Sequence, residues 1–82
     1  MSLTPHEITK PGLYTEHIWN DRSNDIVLII DITPEEIIMY QLPEDLKSCK
    51  YSYFSLEGYS YNLIGPAKSL DEARQLYPEY FL

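Results

Sequence analysis

The sequence predicts a mainly β domain of the α+β type, with five short antiparallel strands in a sheet or small barrel and one short C-terminal helix. The first observation is the run Ile26–Ile32, in which six of seven residues are aliphatic and five of those are β-branched. It has no polar alternation before Asp31, so we expect a central strand buried on both faces. The second is a set of β-branched and aromatic segments separated by turn residues. The third is the capping box Ser69–Glu72, which opens an amphipathic segment.

The strands are expected at hairpin spacing along the chain. Neither face of the first is cleanly apolar, which indicates either an edge strand or a strand that carries a surface aromatic residue. Glu57-Gly58 has turn chemistry, so the fourth and fifth strands are expected to form a hairpin. The predicted strands are Leu13–Trp19, Ile26–Ile32, Ile37–Leu42, Tyr51–Leu56 and Tyr59–Ile64.

The segment Thr33–Leu42 has two interpretations. Thr33-Pro34-Glu35-Glu36 is a helix-capping signature, which allows a helix from Pro34 to Leu42. Isolated helices this short are marginal, and the segment Ile37–Leu42 opens with β-branched residues. A tight turn followed by a strand is therefore favoured, with the short helix as the alternative.

The composition bounds the class of protein. With 82 residues the chain is expected to form a single domain, residues 1–82. The N-terminus has no basic start followed by an apolar run, no segment is long enough to span a membrane, and Cys49 has no partner for an internal disulfide. These features predict a cytoplasmic protein.

The charge balance is acidic, with 13 acidic and six basic residues and a net charge of −7. The basic residues are scattered, which disfavours direct nucleic-acid binding. Between Ser23 and Leu46 there are six acids and no base, which indicates either a solvated face or a patch that meets a basic partner. Among those acids the predicted binding residues are Glu35, Glu36, Glu44 and Asp45.

No pattern in the sequence indicates catalysis or a cofactor. His6 and His17 are eleven positions apart and Cys49 is the only cysteine, so the spacings typical of metal sites do not occur. The paired carboxylates lie where turns and helix starts already explain them, and no glycine-rich phosphate loop is present. We expect neither an enzyme, nor a cofactor, nor a metal site.

Tyrosine is the unusual feature, with eight in 82 residues. Four of them fall within eleven positions, two on one face of each strand of the predicted hairpin, and if those two faces coincide the four rings form a patch. They form either cross-strand core pairs or a recognition surface, because tyrosine is enriched at interfaces. The tail Tyr80–Leu82 either packs against the domain or contacts a second subunit. The aromatic residues of the predicted binding surface are Trp19, Tyr51, Tyr53, Tyr59 and Tyr61.

Two short motifs frame the strands. Lys10-Pro11-Gly12-Leu13-Tyr14 opens the first strand, and Tyr61-Asn62-Leu63-Ile64-Gly65-Pro66 closes the last. This arrangement resembles small phage and prophage-type proteins of unknown function, many of which look like SH3-type small barrels. The chain departs from that pattern in having Leu13-Tyr14 in place of a Tyr-Trp pair, and a terminal helix in place of a short Pro-rich end. The resemblance implies an SH3-like barrel and says little about function.

Three functions compete on the sequence. The first is a small non-enzymatic interaction protein, such as a phage-type inhibitor or regulator, that binds a partner protein through a tyrosine-rich acidic surface. The second is an acidic mimic of nucleic acid. The third is a small-molecule sponge whose aromatic rings stack on a nucleotide, with a pocket at a subunit interface. The scarcity of clustered lysine and arginine argues against a phosphate-bearing ligand, unless Lys47, Lys50 and Arg74 converge in the fold.

Overall fold

The computed structural model describes residues 2–18, 24–42 and 47–81, which form one open antiparallel sheet and a short helix. The elements are β1 (Gly12–Ile18), β2 (Asn24–Ile32), β3 (Glu36–Leu42), β4 (Cys49–Ser52), β5 (Tyr59–Pro66), α1 (Leu70–Leu76) and two 3-10 turns, Pro5–Glu7 and Pro78–Tyr80. The strand order across the sheet is β4-β3-β2-β1-β5. The predicted mainly β class, with five antiparallel strands and one short C-terminal helix, is confirmed, and the sheet is the form observed.

The strand β2 is central and buried on both faces, as predicted. Val27 and Ile29 point to one side of the sheet and Leu28 to the other, and all three have no exposed surface. We call the first side the tyrosine face and the second the helix face. The core of the tyrosine face comprises Ile8, Tyr14, Val27, Ile29, Ile37, Met39, Leu56 and Tyr61. The core of the helix face comprises Leu13, Leu28, Ala67 and Ala73.

A bulge in β2 changes the alternation near the end of the strand. Ile29 is paired with Met39 and Asp31 with Ile38, which leaves Ile30 as the additional residue. Because side chains alternate with a period of two, one extra residue moves those that follow to the opposite face. Ile32 therefore packs against the tyrosine face, while Asp31 is exposed.

The prediction that the first strand lies at an edge is wrong. β1 lies between β2 and β5 and pairs with both along its length. The mixed pattern arose because a core position of this strand is occupied by an acid, Glu16, which is 3% exposed and bonded to Tyr61. A strand can therefore be internal without a cleanly apolar face when a neighbouring strand supplies the polar partner.

The predicted hairpin between the fourth and fifth strands is also wrong. β4 ends at Ser52, and β4 and β5 lie at opposite edges of the sheet. Residues 53–58 form consecutive turns that connect those edges, and Leu56 is buried against the tyrosine face on the way. The Ser52 hydroxyl accepts a bond from the Ser55 N–H at 3.2 Å, and this local bond favours a turn over a longer strand. The turns end at Gly58, whose φ of 87° suits glycine.

The segment Thr33–Leu42 is a turn followed by a strand, so the alternative of a short helix is wrong. The Thr33 hydroxyl accepts a bond from the Glu36 N–H at 3.0 Å, as a helix cap would. The same hydroxyl donates to the Glu36 carbonyl at 3.0 Å, and the Thr33 N–H donates to that carbonyl at 2.9 Å. These bonds close a tight turn, after which the β-branched residues of β3 pair with β2.

The helix face is covered by α1 and the C-terminal 3-10 turn. The Ser69 hydroxyl accepts a bond from the Glu72 N–H at 3.1 Å, which confirms the predicted start of the helix. Ala73 and Tyr77 pack against the sheet, and the Tyr77 hydroxyl donates to the Pro66 carbonyl at 3.1 Å. Tyr80 and Phe81 pack on the same cluster. Among the described residues, no helix has the length and apolar character needed to cross a bilayer.

Candidate binding groove

A groove of about 380 Å³ lies between the N-terminal 3-10 turn and the connection from β4 to β5. Both segments are adjacent in space because they pack over the tyrosine face, where Ile8 and Leu56 are buried in the same core. The groove is lined by Thr4, Pro5, His6, Tyr53, Glu57, Gly58 and Tyr59.

The N-terminal wall is fixed to the edge of the sheet. The Leu3 N–H donates to the Tyr61 carbonyl at 2.7 Å, and the Tyr61 N–H donates to the Leu3 carbonyl at 2.8 Å. The Thr4 N–H then donates to Oε1 of Glu7 at 2.9 Å, which closes the 3-10 turn. This bond lowers the pKa of the exposed Glu7 carboxyl below its usual value. One wall of the groove is therefore ordered and ends beside a charged carboxylate.

The opposite wall is fixed through Tyr53. Its ring stacks on the His6 ring, with centroids 4.5 Å apart and planes inclined by 17°. Its hydroxyl donates to the Thr33 carbonyl at 2.7 Å. Contacts on the ring and on the hydroxyl hold the half-buried side chain in one orientation and connect three separate segments of the chain.

One acidic residue, Glu57, lines the groove. The bond from Tyr53 to Thr33 connects a groove residue to the turn that carries the exposed Glu35. Glu36 begins β3 and alternates with Ile37, which belongs to the core of the tyrosine face, so the half-buried Glu36 side chain points to the helix face and away from the groove. Within the described part of the chain, no lysine or arginine lines the groove. The predicted binding residues Trp19, Glu44 and Asp45 lie outside the described residues.

A buried acid lies on the same face of the sheet. The Tyr61 hydroxyl donates to Oε2 of Glu16 at 2.5 Å, and the Tyr61 ring meets the Tyr14 ring edge to face at 6.4 Å. Burial raises the pKa of Glu16, the bond from Tyr61 offsets part of that rise, and the neighbouring charge of Asp25 adds to it. Burial and the Glu16 carboxylate raise the pKa of Tyr61, so its hydroxyl remains a donor.

The four clustered tyrosines share one face, although no hairpin brings them together. Tyr51, Tyr53 and Tyr59 are half-buried against the core of the tyrosine face. Tyr61, predicted as a binding residue, has no exposed surface and belongs to that core, because it bonds the inward-facing Glu16. Tyr53 and Tyr59 line the groove, whereas Tyr51 does not.

Of the residues that line the groove, sequence reasoning found only Tyr53 and Tyr59 and missed Thr4, Pro5, His6, Glu57 and Gly58. It also missed Phe54, in the turns between β4 and β5, which does not line the groove but has 82% of its surface exposed. The sequence did contain a signal, since Ser52 and Ser55 flank Tyr53-Phe54 and favour turns over strand.

Among residues 2–18, 24–42 and 47–81 there is no group of three or more histidine, cysteine, aspartate or glutamate residues able to hold a metal ion. No protein-family model matches the sequence, and it matches neither a curated protein nor a solved structure. The resemblance to prophage-type proteins stays a prediction, and functional inference depends on the groove itself.

Proposed function

We propose that this chain is a small non-enzymatic interaction protein that binds a basic region of a partner protein through the tyrosine-lined acidic groove, and so inhibits or regulates that partner. The observation that carries the proposal is the stacked, hydrogen-bonded Tyr53, which forms a groove wall that is already ordered in the free protein. The phage-type role rests on the sequence resemblance alone.

An ordered aromatic wall favours binding because little freedom remains to be lost. Immobilising a flexible interface side chain costs about 0.5–1.5 kcal/mol. The His6 stack and the bond to Thr33 already restrict Tyr53, and Tyr59 is half-buried against the core. Partly exposed tyrosines of this kind supply apolar contact area together with a hydroxyl that can bond a partner.

Phe54 is an exposed aromatic residue in the segment that forms one wall of the groove. It is 82% exposed and follows Tyr53 directly in the chain. Its carbonyl accepts a bond from the N–H of the groove residue Glu57 at 3.4 Å. A single exposed hydrophobic residue is ordinary, but phenylalanine is enriched at interfaces, and this one belongs to the turns that supply Tyr53 and Glu57.

The electrostatics favour a basic protein over a phosphate-bearing ligand. Glu57 would repel a phosphate in the groove, and the described lining contains no base to compensate. This supports the interaction protein over the nucleotide sponge.

The test is affinity capture of a partner from the cells that encode the chain, followed by calorimetric titration of the purified partner. Phe54→Ala is expected to weaken the Kd about tenfold or more, because truncation of an aromatic anchor costs upwards of 1.4 kcal/mol. Leu76→Ala is the matched control, since Leu76 is 55% exposed and belongs to α1 on the helix face. Equal Kd values for the wild type and Phe54→Ala, or a loss confined to Leu76→Ala, would overturn the proposal.

A further inference from the structure

We infer that the groove is a recognition site for a cationic side chain, and that its occupant is an arginine presented by a basic segment of the partner. The inference rests on the proposed function and specifies which chemistry the groove selects. Three properties of the groove carry it: its size, its aromatic walls and the charge around it.

The size of the groove suits a side chain with its flanking backbone. Its volume of about 380 Å³ is near the lower end of the range of about 300–1,000 Å³ for small-ligand sites. A folded surface could not enter it, but one extended side chain could.

The walls offer aromatic rings to a cation. Tyr53, Tyr59 and His6 all line the groove. The 4.5 Å stack of Tyr53 on His6 holds those two rings in place and covers one face of each, so a cation would stack on Tyr59 or on a ring face that the stack leaves uncovered. A guanidinium group is planar and weakly hydrated, so it stacks on aromatic faces more readily than an ammonium group does. The same chain shows this contact elsewhere, where the guanidinium carbon of Arg74 lies 5.8 Å from the centre of the Phe81 ring.

The charge around the groove has the sign that a cation requires. Glu57 lies in the lining, Glu7 follows His6 in the chain, and the exposed Glu35 lies on the turn whose Thr33 carbonyl accepts the Tyr53 hydroxyl. Near a low-dielectric wall, a carboxylate attracts a cation more strongly than in water. The net charge of −7 also attracts a basic segment toward the protein.

The first experiment is a titration of the 15N-labelled protein with three short peptides of identical Gly-Ser background that carry arginine, citrulline or glutamate at two positions. Citrulline preserves the shape of arginine and removes its charge. We expect the arginine peptide to shift the amide resonances of His6, Gly58 and Tyr59, and to bind at least about tenfold more tightly than the citrulline peptide, a difference of about 1.4 kcal/mol. Equal binding of the two, shifts confined to other regions, or no groove shift at millimolar peptide would overturn the inference.

The second experiment separates a local carboxylate from the general charge of the protein. Glu57→Gln removes a charge from the groove, and Glu79→Gln removes one from the exposed C-terminal 3-10 turn. We expect Glu57→Gln to weaken binding of the arginine peptide about threefold to fivefold, in keeping with an exposed and partly screened pair, and Glu79→Gln to leave it within about twofold. Equal effects of the two variants would show that only net charge attracts the peptide and would overturn a built site.

The two proposals fail in different ways. If Phe54→Ala abolishes binding of the purified partner while the arginine and citrulline peptides behave alike, the interaction function stands and cation recognition is refuted. If the arginine peptide binds the groove but the partner is insensitive to Phe54→Ala, the cation site stands and the proposed interface is refuted.

Discussion

Removal of the Tyr61 hydroxyl group tests how much its hydrogen bond to the buried carboxylate of Glu16 stabilises the fold. Glu16 is 3% exposed, and its Oε2 accepts a bond of 2.5 Å from the Tyr61 hydroxyl. The substitution Tyr61→Phe deletes that donor and retains the ring, including its edge-to-face contact with Tyr14. Any loss of stability can therefore be assigned to the hydrogen bond rather than to a cavity.

The expected cost at neutral pH is about 1.5–3 kcal/mol, the range for a hydrogen bond to a charged group. Small domains unfold with a free energy of about 5–15 kcal/mol, so a loss of this size is readily measured.

The cost depends on pH because Glu16 titrates. Burial raises its folded-state pKa above the usual 4.5, and the Tyr61 bond opposes that rise, so Tyr61→Phe raises the pKa further. The folded state then holds the proton more tightly than the unfolded state, and stability falls as pH rises from about 4.5 through the folded pKa. In the variant the fall extends to a higher pH and is larger in total, so its deficit is smaller in acid and reaches its full size once Glu16 is ionised.

The measurement is urea unfolding at a series of pH values between about 4 and 8. Tyr40→Phe is the matched control, because Tyr40 is half-buried on the helix face and does not contact Glu16. Glu16→Gln should flatten the difference between acid and neutral pH. A deficit of Tyr61→Phe that is constant with pH, or no larger than that of Tyr40→Phe, would refute the reasoning.

Three further predictions concern Gly65 near the end of β5, Thr33 in the turn before β3, and the class of ligand. Gly65→Ala should lower the free energy of unfolding by about 1–3 kcal/mol, because a Cβ there would lie 2.0 Å from the Tyr77 hydroxyl oxygen. If this clash is the cause, the same substitution should cost less in a Tyr77→Ala background. Thr33→Ala should cost about 1 kcal/mol in the same assay, because the Glu36 N–H loses its acceptor, whereas Thr9→Ala at an exposed position should not. A panel of nucleotides should leave the melting temperature unchanged, and a clear rise would favour the sponge instead.

The strands could be predicted where local pattern and tertiary burial agree. Ile26–Ile32 is apolar on both faces, so its central place followed from composition. Thr33–Glu36 was harder, because a threonine that bonds the N–H three residues later serves a helix cap and a hairpin turn equally well. The β-branched residues that follow decided between the two.

Strand order could not be predicted from the same patterns. Tyr51–Leu56 and Tyr59–Ile64 look like two arms of a hairpin because Glu57-Gly58 is a turn dipeptide. Glu57 and Gly58 are in fact the last residues of a connection that passes from β4 to β5 at the opposite edge of the sheet. A turn signal states that the chain changes direction, but not which strand the next segment pairs with. The same limit concealed the groove, because its walls come from the N-terminal turn and from that connection.

The groove depends on segments outside the strands, and Tyr53 is the residue that joins them. Its ring contacts His6 in the N-terminal turn, and its hydroxyl bonds Thr33 in the turn between β2 and β3. Each segment is separately anchored to the sheet, through the Leu3–Tyr61 bonds on one side and the pairing of Ile32 with Ile37 on the other. The sheet therefore fixes the positions of the walls, while the residues that face the groove belong to turns that tolerate change. Such an arrangement allows the chemistry of the groove to vary on an unchanged core.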